Sequence, residues 1–142
     1  MLGTRFSGAI AVLLVLLFTG CAQVEKPKPP EAFSTFIAKY RTDAEFRHQR
    51  AAFPVKVLAY DEDGTVRQYD LTPEKLEHSV YKLYVDIDVV RQHHYVELTH
   101  ELDMDKSEVL IGPVHSEPAI GYIFKRIDGE WFLISIMDYW GV

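Results

Sequence analysis

His93, His94, Glu97 and His100 are the side chains in this sequence best suited to hold a metal ion, since imidazole and carboxylate are ligands for zinc and its neighbours. Their spacing works against them. On a strand, adjacent side chains point to opposite faces, and His94 and His100 would stand roughly 20 Å apart. A site would need ligands from other strands, so a solvated strand is the preferred reading and no metal is assigned. His48, with Arg47 and Arg50, could form a basic patch for an anion; surface salt bridges to Asp43 or Glu45 on the same helix are preferred. Asp61-Glu62-Asp63-Gly64 resembles a calcium loop only in its acidity. It lacks the alternating acid spacing and the twelfth-position Glu, and reads as a turn. No nucleophile elbow, phosphate loop or His-Glu-x-x-His is present. The sequence names neither a reaction nor a ligand, and no cofactor is implied.

Cys21 is the only cysteine. It follows a positive start at Arg5, an unbroken apolar run over 9–18 and the small residues Thr19-Gly20. That order is the n-region, h-region and cleavage site of a secretory signal peptide, and the run is shorter than the ~18 residues of a spanning helix. Phe18-Thr19-Gly20-Cys21 resembles the lipobox of bacterial lipoproteins, with Phe18 where Leu is usual. The resemblance implies cleavage before Cys21 and acylation of its sulfur, palmitate included. Several acyl chains on one residue anchor stably where one does not. Residues 1–20 are thus expected to be a lipoprotein signal peptide, and 21–30, polar and rich in proline, an extended spacer from the membrane. The exported domain would have no thiol, hence no disulfide and no cysteine-based zinc site. A formal net charge of -6 argues against nucleic acid as a partner.

The elements that must position these groups are best read from residues 119–140. Two runs of β-branched and aromatic residues flank Asp128-Gly129, the signature of a type I′ hairpin. The second run is apolar on both sides: Trp131, Leu133, Met137 and Tyr139 on one face, Phe132, Ile134, Ile136 and Trp140 on the other. This predicts a mid-sheet hairpin covered on both faces. Upstream, Phe33, Phe36, Ile37 and Tyr40 mark the apolar face of a helix over 31–41. Thr42 and Glu45 sit at capping-box spacing, predicting a short helix over 43–50 with Phe46 inward and an end at Phe53-Pro54. Residues 55–60 and 65–71 predict a hairpin, and Thr72-Pro73-Glu74 a helix start. Residues 80–90 look strand-like; 92–103 and 106–115 read as strands, with Gly112-Pro113 marking a bulge or strand end.

Helices first and meander strands after mean α+β: an antiparallel sheet packed on one face against N-terminal helices. Phe33-x-x-Phe36-Ile37-x-x-Tyr40 with Ile127-Asp128-Gly129-Glu130-Trp131-Phe132-Leu133-Ile134-Ser135-Ile136 resembles the NTF2-like (cystatin-like) superfamily. Asp43-x-x-Phe46-x-x-x-Arg50-x-x-Phe53-Pro54 is similar to bacterial lipoproteins built from a domain of unknown function. The resemblance implies one domain over 31–142 in which a curved sheet wraps on a helix as a cone. Some members are enzymes with an Asp base and a Tyr donor in an apolar cone. The equivalent role here would fall to Asp138, with Tyr40, Tyr81, Tyr84 or Tyr122 as donor, and a ligand pocket would comprise Tyr40, Tyr84, Tyr122 and Asp138. The preferred reading of Asp138 is nevertheless a solvated strand end. Three functions follow. The first is a non-enzymatic, lipid-anchored module of the cell envelope that binds a small ligand or an envelope protein. The second is a cone-pocket isomerase, dehydratase or cyclase using Asp138. The third is a homodimerisation module with an apolar outer sheet face.

Overall fold

Apolar residues at helical spacing form the first element of the chain. In a computed structural model describing residues 28–139, helix α1 spans Phe33–Thr42 and buries Phe36, Ile37 and Tyr40 fully and Phe33 nearly so. The expected leader, Cys21, most of the expected spacer and Trp140 lie outside the described residues. Helix α2 (Ala44–Gln49) starts not at Thr42 but at Asp43, whose carboxylate accepts the Phe46 amide at 2.9 Å. Thr42 is the last residue of α1, its hydroxyl donating to the Ala38 and Lys39 carbonyls, so the extended Asp43, whose carboxylate meets an orphan amide at the positive helix end, takes the cap. Strands β1 (Ala51–Tyr60) and β2 (Val66–Leu71) form the expected acidic-turn hairpin, and the Asp63 carboxylate accepts the Thr65 amide at 2.8 Å. Thr72 caps α3 (Pro73–Leu76) as its sequence predicts.

Residues 80–90 are not a strand. Residues 79–86 are irregular, and 87–92 form helix α4 (Ile87–Gln92), started by Asp86 through a hydrogen bond to the Asp88 amide. A short polar cap overrides the β-branched composition here. His93 then ends α4 and His94 takes a positive φ of 54°, so neither lies on a strand. Strands β3 (Tyr95–Asp103), β4 (Lys106–Pro113), β5 (Ile120–Ile127) and β6 (Glu130–Asp138) follow as a meander. Asp128 and Gly129 have φ of 50° and 83°, the left-handed pair that a type I′ turn requires.

The sheet order is β2-β1-β6-β5-β4-β3, curved and unclosed. The closing hairpin lies mid-sheet as expected. The sheet is not purely antiparallel, because β1 and β6 run parallel. The crossing segment with α3 and α4 carries the chain from one edge to the other, so the last strand slots in beside the first. The helices contribute Phe46, Leu76 and Val90, besides the α1 face, to one core with Val57, Val109, Tyr122, Phe124, Leu133 and Ile136.

The outer sheet face departs from expectation. Phe132, Ile134 and Met137 are half-buried, since the helices cover only the inner face. The alternation within β6 also breaks. Phe124 pairs with Leu133 while Ile123 pairs with Ser135, leaving Ile134 as an extra residue in a β-bulge. Past the bulge the pattern shifts by one, so Ile136 and Asp138 point inward with Trp131 and Leu133, and Met137 points outward.

Candidate functional site

A cleft of about 460 Å³ opens between α2, α3 and residues 82–86. Its floor is Ala44, Leu76, Leu83 and Tyr84; its rim is charged, with Arg47, His48 and Lys82 against Glu77 and Asp86. Arg47 is positioned by α1: its Nη1 donates to the Tyr40 and Arg41 carbonyls at 3.1 and 3.0 Å, closing the C-terminus of that helix. The expected salt bridges to Asp43 or Glu45 are replaced by this contact, because the helix end offers carbonyls with no other partner. Arg50 leaves the trio entirely. It pairs with Glu31 at 3.0 Å and Glu130 at 3.2 Å and donates to the Trp131 carbonyl at 3.2 Å.

Tyr84 separates the cleft from the core. One side of it lines the cleft; the other packs on Tyr122, with ring centroids 4.9 Å apart, and on Tyr40, edge-on at 5.7 Å. Its hydroxyl donates to Glu97 Oε2 at 2.7 Å, and Arg41 holds that carboxylate through Nε at 3.2 Å and through Nη2. Tyr40 donates to the Leu83 carbonyl at 3.1 Å. The Tyr122 hydroxyl is buried without a hydrogen-bond partner; the Val85 main chain faces it outside hydrogen-bonding geometry. Burial raises the pKa of all three phenols above the ordinary tyrosine range, and the Arg41 contact partly offsets this at Tyr84.

Asp138 is only 3% exposed, so it is not a solvated strand end. The bulge turns it inward, one row along from the Tyr122 pairing with Ile136. It accepts the Tyr81 hydroxyl at 2.8 Å, and Tyr81 in turn accepts from the half-exposed Tyr69 at 2.5 Å. Burial first, then these two hydrogen bonds, raise the Tyr81 pKa. Of the four pocket residues read from sequence, Tyr84 packs on both Tyr40 and Tyr122, while Asp138 accepts from Tyr81. Among the described residues, no three His, Cys, Asp or Glu side chains group as metal ligands. His100 instead faces Glu108 at 3.7 Å, and Glu97 is committed to Arg41 and Tyr84.

Solved structures share this architecture. A protein from Bacteroides uniformis is 23% identical, with 78% of each chain covered and a TM-score of 0.55. A cystatin-like protein from Bacteroides caccae is 23% identical, with 82% of this chain and 80% of that one covered and a TM-score of 0.53. An NTF2-like protein from Bacteroides fragilis is 14% identical over 80% of this chain and 49% of its own, with a TM-score of 0.54. No curated protein matches the chain. A protein-family model matches residues 31–142. The chain belongs to the family of that model, and its fold is that of the NTF2-like and cystatin-like proteins among these structures.

In this NTF2-like cone the interior is filled by aromatic side chains, Phe36, Tyr40, Tyr84, Tyr122 and Phe124, and the concavity sits at its mouth. Sequence reasoning missed Lys82, Glu77 and Asp86 as cleft residues. The one available signal was the Asp86 cap before Asp88, which would have ended the presumed strand and made the preceding segment a loop across the cone.

Proposed function

We propose that this chain is a lipid-anchored envelope protein whose NTF2-like domain binds a small ligand in the cleft at the cone mouth. The cleft itself carries the reading. Its volume, about 460 Å³, falls within the range of small-ligand sites, and it sets a few charged groups over an apolar floor. The mixed rim suits a ligand that carries both an anionic group, met by Arg47 and Lys82, and a cationic or donor group, met by Glu77 and Asp86. The Cys21 lipobox and the apolar run before it support the anchor, and the proline-rich spacer supports a domain held off the bilayer. No described helix is long and apolar enough to cross a membrane.

A titration of the amide-labelled chain with a panel of zwitterionic and dipolar metabolites tests the binding half. Shifts concentrated at Arg47, His48, Lys82 and Asp86 are expected, and Arg47→Ala should weaken them; shifts elsewhere only would remove the cleft. Metabolic labelling with a palmitate analogue tests the anchor. Label and membrane fractionation are both expected in the parent and absent in Cys21→Ala.

The enzyme reading has one observation in its favour, the buried Asp138 against Tyr81. That carboxylate is only 3% exposed and does not line the cleft. A homodimer through the outer sheet face has the exposed Leu98 and the row Leu58, Met137 and Leu110 beside it.

A further inference from the structure

Residues 79–86 cross the cone mouth with neither helix nor strand pairing. They are held by the burial of Tyr81, Leu83 and Tyr84 in the core and by tyrosine hydroxyls: Tyr81 on Asp138, Tyr84 on Glu97, and Tyr40 on the Leu83 carbonyl. Directly beneath Tyr84 lies Tyr122, whose hydroxyl is fully enclosed and has no hydrogen-bond partner. A buried polar atom left unpaired within a core is costly and rare, and its presence calls for a reason. From these contacts we infer that residues 79–86 are a displaceable strap, that Tyr84 is the built-in occupant of a site inside the cone, and that this site takes a small hydroxyaryl molecule in its place. The inference rests on the binding-module reading and extends its cleft inward past Tyr84.

Tyr84 itself displays the chemistry of the site. Its ring sits tilted against Tyr122 and edge-on to Tyr40, the second a geometry that aromatic pairs favour. Its hydroxyl is read by Glu97, a carboxylate fixed by Arg41. A free phenol repeats both contacts. A second oxygen acceptor on that phenol takes the Tyr122 hydroxyl, which Tyr84 leaves unpaired, so the ligand gains a hydrogen bond that the strap lacks. A segment held by side-chain contacts, with no strand ladder, can open as a unit apart from the sheet around it. The closed strap reduces apparent affinity by the fraction of molecules that are open. Release of Tyr84 carries Leu83 and Lys82 with it, so ligand entry would reshape the cleft floor.

p-Cresol, the tyrosine side chain as a free molecule, is the probe, with toluene at matched free concentration as the apolar control. In the full chain, Tyr84→Ala should bind p-cresol at least about tenfold more tightly than the parent does and at least about tenfold more tightly than it binds toluene, with ring resonances of Tyr40 and Tyr122 shifting. Equal affinity in parent and variant, or no preference over toluene, overturns the inference. Shifts confined to Arg47, His48 and Lys82 also overturn it while leaving the cleft reading standing. Should Tyr84→Ala fail to fold, Tyr84→Phe keeps the ring and loses only the Glu97 bond. Amide exchange over 79–86 should then rise about tenfold with β5 and β6 unchanged. Unchanged exchange in the strap, or acceleration throughout the sheet, counts against it.

Discussion

Tyrosine hydroxyls carry more of this molecule's specificity than its charges do. Tyr40 and Tyr122 are both fully buried, yet one hydroxyl donates to Leu83 and the other has no partner. The two should respond oppositely to loss of that atom. Tyr40→Phe is expected to cost about 1 kcal/mol, while Tyr122→Phe should be neutral or stabilising by up to about 1 kcal/mol, read from urea unfolding midpoints. Equal losses would mean that Tyr122 is paired in solution. Arg50 is the charge that matters most. It ties Glu31 and Glu130 together, while Glu31 also accepts the Trp131 amide at 3.0 Å and its carbonyl accepts the Trp131 indole at 2.9 Å. Arg50→Ala should destabilise by about 1–3 kcal/mol, because Glu31 and the Trp131 carbonyl each lose a partner at a largely covered site. A loss within error in the same urea assay would reduce the knot to a surface pair. From sequence, Arg50 looked like one of three basic neighbours on a helix; that it turns to a hairpin 81 positions away depends on tertiary packing that no local pattern encodes.

At the scale of elements, what the sequence made legible was what local chemistry decides. The face of α1, the Asp-Gly hairpin and the Thr72 cap all follow from residue type and spacing, and all stand in the structure. The phase of β6 does not follow. Its run is apolar at nearly every position, so a one-residue bulge at Ile134 leaves no mark on the pattern while exchanging every face beyond it. Asp138 was therefore placed by its neighbours rather than by its direction. Glycines give the sharper test of the strands. Gly129 sits at φ 83°, so Gly129→Ala should cost about 1 kcal/mol or more. A Cβ at Gly112 would lie 2.8 Å from both the Ala119 nitrogen and the Pro118 Cα, so Gly112→Ala must displace backbone and should cost about 1–3 kcal/mol. Thermal unfolding reads both, and an unchanged midpoint for Gly112→Ala would contradict the close approach of β4 to the turn that follows it.

For the molecule as a whole, fold class was within reach of the sequence, whereas strand order was not. Two antiparallel units explain every strand equally well in any lateral order, and only the packing of the crossing segment selects the observed one. The concentration of buried phenols has a global signature. Tyr40, Tyr81 and Tyr122 keep their protons above the usual range because burial penalises phenolate, whereas in the unfolded chain they ionise near pH ~10. Above that pH the native state binds more protons than the unfolded one, so stability falls as pH rises, by up to about 1.4 kcal/mol per unit for each such group. Urea midpoints should show no tyrosine-linked decline below about pH 9 and a steep one above about pH 10, and Tyr122→Phe should shallow that decline. A flat profile through pH ~11 would mean the phenols are reached by water.

The neighbours of β6 have a temporal meaning as well. On one side it meets β1, on the other β5, and among the described strands it supplies the ladder between the first hairpin and the later meander. Pairs such as Val57 with Ile136 span most of the domain's sequence, a separation that slows folding by the entropy of closing so long a loop. A polypeptide emerging from a ribosome or a secretion pore cannot lock its two sheet fragments together until residues 130–138 have cleared the exit. Until then the exposed flanks of β1 and β5 are available to chaperones, and a proteolytic nick within β6 would unzip the molecule from its middle rather than fray it at an edge.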